Sequence, residues 1–246
     1  MIALYNRKDL LGLRDLSADE IMTILNTAKE MKAKIDNPSL RDDSLSKSSI
    51  VTLFYENSTR TKMSFMLAGD YQGAIVKDLG VATSSVSKGE SLVDTGVTLD
   101  QMGINIMIIR HQMTGAAHLL AKNVKASVVN AGDGSNEHPT QALLDLFTIM
   151  EKKGSFEGLK VVILGDISHS RVARSNAFGL TKLGAKVTLA GPSTLVSNSM
   201  KSLGVEVETD IPKAIKDADV VMGLRIQFER QKNMPFPSCL LYTSPS

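Results

Sequence analysis

Tryptophan is absent from the 246 residues, cysteine occurs once, and aromatic residues make up only 4% of the chain. A core built without large rings must come from aliphatic side chains, and hydrophobic residues at 43% are enough to form one. The single cysteine, Cys239, excludes disulfides and thiolate metal sites from the body of the chain. No apolar run approaches the ~18 residues that span a bilayer, which argues against a membrane partner. The opening Met1-Ile2-Ala3-Leu4-Tyr5-Asn6-Arg7-Lys8 lacks the order of a signal peptide, so a cytoplasmic location is expected. Blocks of like charge are missing as well: 28 basic and 26 acidic residues are scattered to a formal charge of +2, leaving no footprint for nucleic acid. Small anionic ligands are compatible with this balance.

Apolar runs of strand length alternate with stretches of helical periodicity. Ser17-Ala18-Asp19-Glu20 has capping-box spacing, and Ile21, Ile24, Leu25, Ala28 and Met31 then recur at helical intervals until Pro38. Strands are expected at Ser49 to Tyr55, Ala74 to Leu79, Ile104 to Ile109 and Ser127 to Ala131, with helices at Thr61 to Asp70, Ser91 to Met102 and Gly115 to Asn123. The serine-rich Thr83 to Ser87 reads as a mobile loop. A long helix from Pro139 toward Gly154 leads to a second series: strand Lys160 to Leu164, helix Val172 to Leu183, strand Lys186 to Ala190, a helix to Leu203, and strands Val205 to Glu208 and Asp219 to Leu224. The alternation predicts an α/β fold of two doubly wound parallel-sheet domains joined by the long helix, the second incomplete. Residues 1–150 form the first domain and 151–238 the second. Residues 239–246, Cys239 to Ser246, look like the translation of a DNA-library adapter and are set aside as a non-native tail.

In open parallel sheets ligands bind beyond the carboxyl ends of the strands, which directs attention to four turns. Ser58-Thr59-Arg60-Thr61 brings hydroxyls, backbone N–H groups at a helix start and a guanidinium to one turn, a set suited to a phosphate dianion. The same tetrapeptide is equally an ordinary Ser/Thr cap beside a solvated arginine. Arg110 ends an apolar strand, where a charged side chain is either a solvated edge or a ligand group. His138 and Gln141 share one face near the start of the long helix, where the helix dipole favours neutral imidazole, a donor to a carbonyl oxygen; His138 read alone also serves as a cap of its own helix. Gly165-Asp166-Ile167-Ser168-His169-Ser170-Arg171 stands where a dinucleotide fold carries G-x-G-x-x-G, but only its first glycine is present, so a nicotinamide cofactor is not expected. Arg225 and Gln227 alternate after the last strand and can face one carboxylate. Histidines 111, 118, 138 and 169 have no metal-binding spacing.

Taken in order, FYENSTRTKMSF, SSVSKGES, IIRHQ, GDGSNEHPTQALLDL, GDISHSRVARSN and LRIQFER resemble the catalytic chains of the aspartate carbamoyltransferase family. The resemblance runs from near the N-terminus to about Arg230. It implies transfer of a carbamoyl group from carbamoyl phosphate to L-aspartate at the entry to pyrimidine synthesis, with no cofactor and no metal. By the same resemblance Ser58, Thr59, Arg60 and Thr61 bind the phosphate, while Thr61, Arg110 and His138 polarise the carbonyl. Gln141 holds the carbamoyl nitrogen, and Arg171, Arg225 and Gln227 take the aspartate carboxylates. Ser84 and Lys88 match residues that the family inserts from a neighbouring subunit, which implies a homotrimer with shared sites. Glu56, Arg171 and Arg230 match an ion-pair set that bridges the domains on closure. Asn57, where proline is common, and Lys62, where arginine is frequent, depart from the pattern, and the family's remaining carboxyl-terminal segments are missing. The truncated chain is therefore expected to have apolar surface uncovered on the first domain and to be inactive or poorly folded. Ornithine carbamoyltransferase shares the phosphate turn but lacks the Lys88-Gly89-Glu90 loop and the Arg225-x-Gln227 pair. A non-catalytic carbamoyltransferase-like subunit is the other alternative. Association with a regulatory chain leaves no motif.

Overall fold

The computed structural model describes residues 7–81 and 84–225. Two compact units divide near Phe147, so that the long helix expected from the sequence begins in one and ends in the other.

In the first unit, helix α1 (Ala18–Asp36) opens with the full capping box: Ser17 accepts from the Glu20 backbone and the Glu20 carboxylate accepts from Ser17 N at 2.7 Å. The Arg7 guanidinium, 2.5 Å from Glu20, together with that Ser17 N–H holds the carboxyl down at about 2. Strands β1 (Ser49–Phe54), β2 (Ile75–Leu79), β3 (Ile106–His111) and β4 (Ser127–Asp133) form one parallel sheet in the order β2-β1-β3-β4. Helices α2 (Thr59–Asp70), α3 (Leu92–Gln101) and α4 (Ala116–Asn123) make the crossovers. Val51, Leu53, Met107, Ile109 and Val128 pack against Ala117 and Leu120 of α4 on one face. On the other, Ile50, Phe54, Ile108 and Ala131 meet Phe65 of α2. A sheet covered on both faces explains why its strands read as near-continuous apolar runs.

The segment before α1 lies along β4: Leu10 N donates to Val128 O and Asn130 N to Leu10 O, both at 2.9 Å. Helix α5 (Pro139–Lys153) carries the chain out of this unit, and between α1 and α5 an apolar groove is lined by Ile24, Met31, Ile35, Leu144 and Phe147.

The second unit holds a parallel sheet ordered β7-β6-β5-β8, from β5 (Lys160–Leu164), β6 (Lys186–Ala190), β7 (Glu206–Glu208) and β8 (Val220–Gly223). Helix α6 (Arg171–Lys182) crosses from β5 to β6, and the short α7 (Ile211–Ile215) leads from β7 toward β8. Both units are the parallel α/β folds expected from the sequence. Several details differ. The helix expected to end at Leu203 does so, as a 3-10 helix from Asn198. Helix α7 is an additional element, capped by Asp210 on Lys213 N at 3.1 Å. Part of the serine-rich segment also forms a 3-10 turn, Ser85–Lys88, with the Ser84 hydroxyl accepting from Val86 N at 3.3 Å. The expected tail from Cys239 lies outside the described residues, and so do Gln227 and Arg230.

Gly165, at the end of β5, has φ +129 and faces Leu224 so closely that a Cβ would lie 2.5 Å from the Leu224 carbonyl oxygen. Gly165→Ala is therefore expected to lose at least the 1–3 kcal/mol typical of a strained backbone position. A urea titration giving the wild-type midpoint would refute that close approach.

Candidate functional site

Parallel connections bring the carboxyl ends of β1, β3 and β4 to one edge, and the predicted residues of the first unit follow those ends. Arg110 is the penultimate residue of β3, paired in register with Phe54 of β1. The strand thus runs two residues further than expected, and Arg110 lies within it. Its backbone carbonyl accepts from Tyr55 N at 2.9 Å. Its guanidinium, 15% exposed, lies 3.1 Å from Oε2 of Glu56 and donates to the Ala131 carbonyl of β4 at 3.2 Å. Nη1 also approaches Nε2 of His138 at 3.4 Å.

His138 is buried immediately before α5. A guanidinium can only donate. The other ring nitrogen, Nδ1, lies 3.5 Å from the Thr140 hydroxyl. One turn along, the Gln141 amide nitrogen donates to Asp145 at 3.0 Å, and its carbonyl oxygen can still accept an N–H.

Ser58 is the N-cap of α2, but its side chain makes no capping hydrogen bond. The ordinary capping role that the tetrapeptide alone allowed is therefore not the one adopted. Backbone N–H groups of the first turn of α2 are left for another acceptor, at the end of the helix where an anion is favoured. Arg60 is exposed beside them. Lys62, the departure from the family pattern, ties this turn to β2 through Asp78 at 2.8 Å, and Asp78 also accepts from the Thr52 hydroxyl at 2.6 Å.

Ser84 donates to Val81 O at 2.9 Å within its own turn, and Lys88 ends that turn exposed. Neither is linked to Arg110 or His138 by a hydrogen bond or ion pair among the described residues. In the second unit, Arg171 starts α6 after β5 and is buried at 2% exposure, whereas Arg225 follows β8 and is exposed. Strands β5 and β8 are hydrogen-bonded neighbours, so both arginines belong to the carboxyl edge of that sheet. Glu56, expected with Arg171 and Arg230, is bonded within its own unit to Arg110.

Support residues that the motifs did not single out surround His138. Asp133, 1% exposed, accepts from Gly115 N at 2.7 Å and from the Asn130 amide at 2.7 Å. Asp145 and Thr140 were likewise passed over. Asn130 within an apolar strand was the available signal, because a buried amide requires partners.

Residues 8–151 match the family model described as aspartate/ornithine carbamoyltransferase, carbamoyl-P binding domain. The aspartate carbamoyltransferase catalytic subunit of Acetivibrio thermocellus is 62% identical over 96% of this chain and 76% of its own length. The chain belongs to the aspartate carbamoyltransferase catalytic-subunit family. Solved members of this aspartate carbamoyltransferase family include the Trypanosoma cruzi aspartate transcarbamoylase in complex with carbamoyl phosphate. It superimposes with a TM-score of 0.83 at 30% identity, covering 92% of this chain and 73% of that one. The same enzyme in complex with N-(phosphonacetyl)-L-aspartic acid gives 0.82 at 30% identity over 90% and 76%. Among the described residues, no helix is long and apolar enough to cross a membrane.

His111 follows Arg110, is buried, and accepts from Met113 N at 2.9 Å through Nδ1. Burial pushes its pKa below the ordinary 6.5, against the opposing pull of Glu56 and Asp133. The folded chain thus keeps this ring neutral at a pH where the unfolded chain protonates it. Stability should fall as the pH drops below about 6.5, since only the unfolded state gains the proton there. His111→Gln should flatten that part of a denaturation series run from pH 7 to pH 5; an unchanged slope would count against the buried neutral ring.

Proposed function

We propose that this chain transfers the carbamoyl group of carbamoyl phosphate to the amine of L-aspartate, giving N-carbamoyl-L-aspartate and phosphate. The observation that carries the reading is the 62% identity with a catalytic subunit of that name across 96% of the chain. This reading puts the enzyme at the entry to pyrimidine synthesis, and a cytoplasmic location is proposed with it.

The first unit takes carbamoyl phosphate. Ser58, Thr59, Arg60 and Thr61 hold the phosphate at the uncapped start of α2, where N–H groups and the helix dipole favour a dianion. Thr61, Arg110 and His138 polarise the carbonyl oxygen, and Gln141 accepts from the carbamoyl nitrogen. Arg171, Arg225 and Gln227 of the second unit take the two carboxylates of aspartate.

The neutral amine attacks the carbonyl carbon, its lone pair forming the new C–N bond while the carbonyl electrons move onto oxygen. Collapse of this tetrahedral species breaks the C–O bond to phosphate, which leaves with that electron pair, and the amine nitrogen releases a proton. Orientation and fixed positive charge accelerate both steps. The Arg110 contact with His138 supports this role: it brings a permanent cation and an imidazole together at the strand edge. Ser84 and Lys88 complete the site of a neighbouring copy in a homotrimer, which accounts for their lack of partners around Arg110 and His138.

Turnover with carbamoyl phosphate should show preference for aspartate over ornithine. It is measured on this chain and on a version extended by the matching carboxyl-terminal segment of the Acetivibrio thermocellus relative; preference for ornithine would sink the assignment. Arg60→Ala should lower kcat by about 10²- to 10³-fold, the usual effect of losing one such donor. For the shared site, mixing inactive Lys88→Gln chains with inactive Arg110→Ala chains should restore part of the activity, because mixed trimers contain some fully intact sites. No recovery would refute the trimeric arrangement.

A further inference from the structure

His138 is preceded by a buried carboxylate that the reaction does not use. Glu137 is 2% exposed, and its two oxygens accept backbone N–H groups from the far end of the chain: Leu13 N at 2.7 Å and Arg14 N at 3.3 Å. Its own backbone is fixed too. Glu137 O accepts from Asp133 N at 3.1 Å, and Glu137 N donates to the Asp133 carboxylate at 3.3 Å. Asp133 in turn collects Gly115 N, the Asn130 amide and the Asn136 amide. The other partner is equally closely fitted, because a Cβ on Gly12 would overlap the Glu137 carboxylate.

The segment that supplies those N–H groups is itself laced to β4. Besides the backbone pairs of Leu10, Asp9 accepts from Val128 N at 2.8 Å and the Asn130 amide donates to Leu11 O at 2.8 Å. A rigid support therefore runs from the amino-terminal segment through Glu137 to the residue that next enters the site.

We infer that Glu137 is a positioning residue: by clamping the Leu13 and Arg14 amides it fixes the start of α5 and holds the His138 imidazole against Arg110. A carboxylate suits the task because it offers two oxygens to two diverging donors, and hydrogen bonds to a charged acceptor are the stronger kind. A buried charge with such partners is also costly to disturb, so the clamp resists displacement when a ligand pulls on the ring. This inference rests on the reading of His138 as a carbonyl-polarising group.

The test uses the full chain and needs no turnover. Phosphonoacetamide, a stable analogue of carbamoyl phosphate, is titrated by calorimetry while the imidazole signals of the four histidines are followed by NMR. His138→Gln identifies the signal of interest. Glu137→Ala is expected to shift the His138 signal and weaken phosphonoacetamide about tenfold or more. Glu137→Gln, which keeps one acceptor for Leu13 N, should recover most of both. Gly12→Ala presses on the carboxylate from the opposite side without removing it, and should move the His138 signal in the same direction. It also keeps the test open if Glu137→Ala does not fold. A loss of thermal stability in these variants with the wild-type His138 signal and affinity would overturn the proposal. If the wild-type chain itself fails to bind phosphonoacetamide, the reading of the site falls, while the His138 signal still decides the positioning role.

Discussion

The guanidinium of Arg110 is the point on which the first unit converges. It is an ion that cannot lose its charge, placed at 15% exposure where three parallel strands end. Desolvation at such a place is tolerable only if the surroundings answer the charge. Glu56 beyond β1, the Ala131 carbonyl of β4 and the His138 ring before α5 do so. Those same partners lie at the edge where the candidate site residues gather. The need to satisfy one cation and the need to assemble a site are met by a single set of contacts.

Parallel topology makes this convergence possible at little local cost. Each strand must be followed by a crossover, so every strand delivers its next residues to the same edge and every helix on that path begins there. In the first unit β1 leads to the Ser58 turn and α2, and β4 leads to His138 and α5. The second unit repeats the arrangement with Arg171 after β5 and Arg225 after β8. What differs between the turns is how they are braced. The α2 turn is tied sideways through Lys62 to Asp78, whereas the His138 turn is anchored to a segment more than a hundred positions away.

Much of this was legible in the residues. Apolar runs located every strand of both sheets, and the Ser17 to Glu20 spacing located the first cap. The errors lie at boundaries and in short elements. Strand β3 was placed from Ile104, but Ile104 and Asn105 serve its entry: the Asn105 side chain accepts from Ser49 N at 2.8 Å, and pairing with β1 begins at Ile106. Helix α7 was missed although Asp210 followed by Ile211-Pro212 is a helix start, because five residues carry no periodicity to detect. Around Arg110, candidate side chains that form motifs could be read from the sequence, whereas the residues that support them could not. Glu137 gives no signal of its own because its partners are backbone amides of Leu13 and Arg14, and a backbone donor leaves no mark in the sequence.

The uncapped start of α2 has a thermodynamic side. Most helices meet the needs of their first N–H groups from within the chain, as α1 does with Ser17. Helix α2 has no such side-chain cap, so the N–H groups of its first turn can take an acceptor from solution. An anion that binds there is in effect the missing cap, and mass action adds its binding free energy to that of folding. At a hundredfold excess over the dissociation constant the gain is about 2.7 kcal/mol. With the phosphate binding proposed for this turn, a cell rich in that phosphate compound would hold a larger share of these chains folded than one depleted of it.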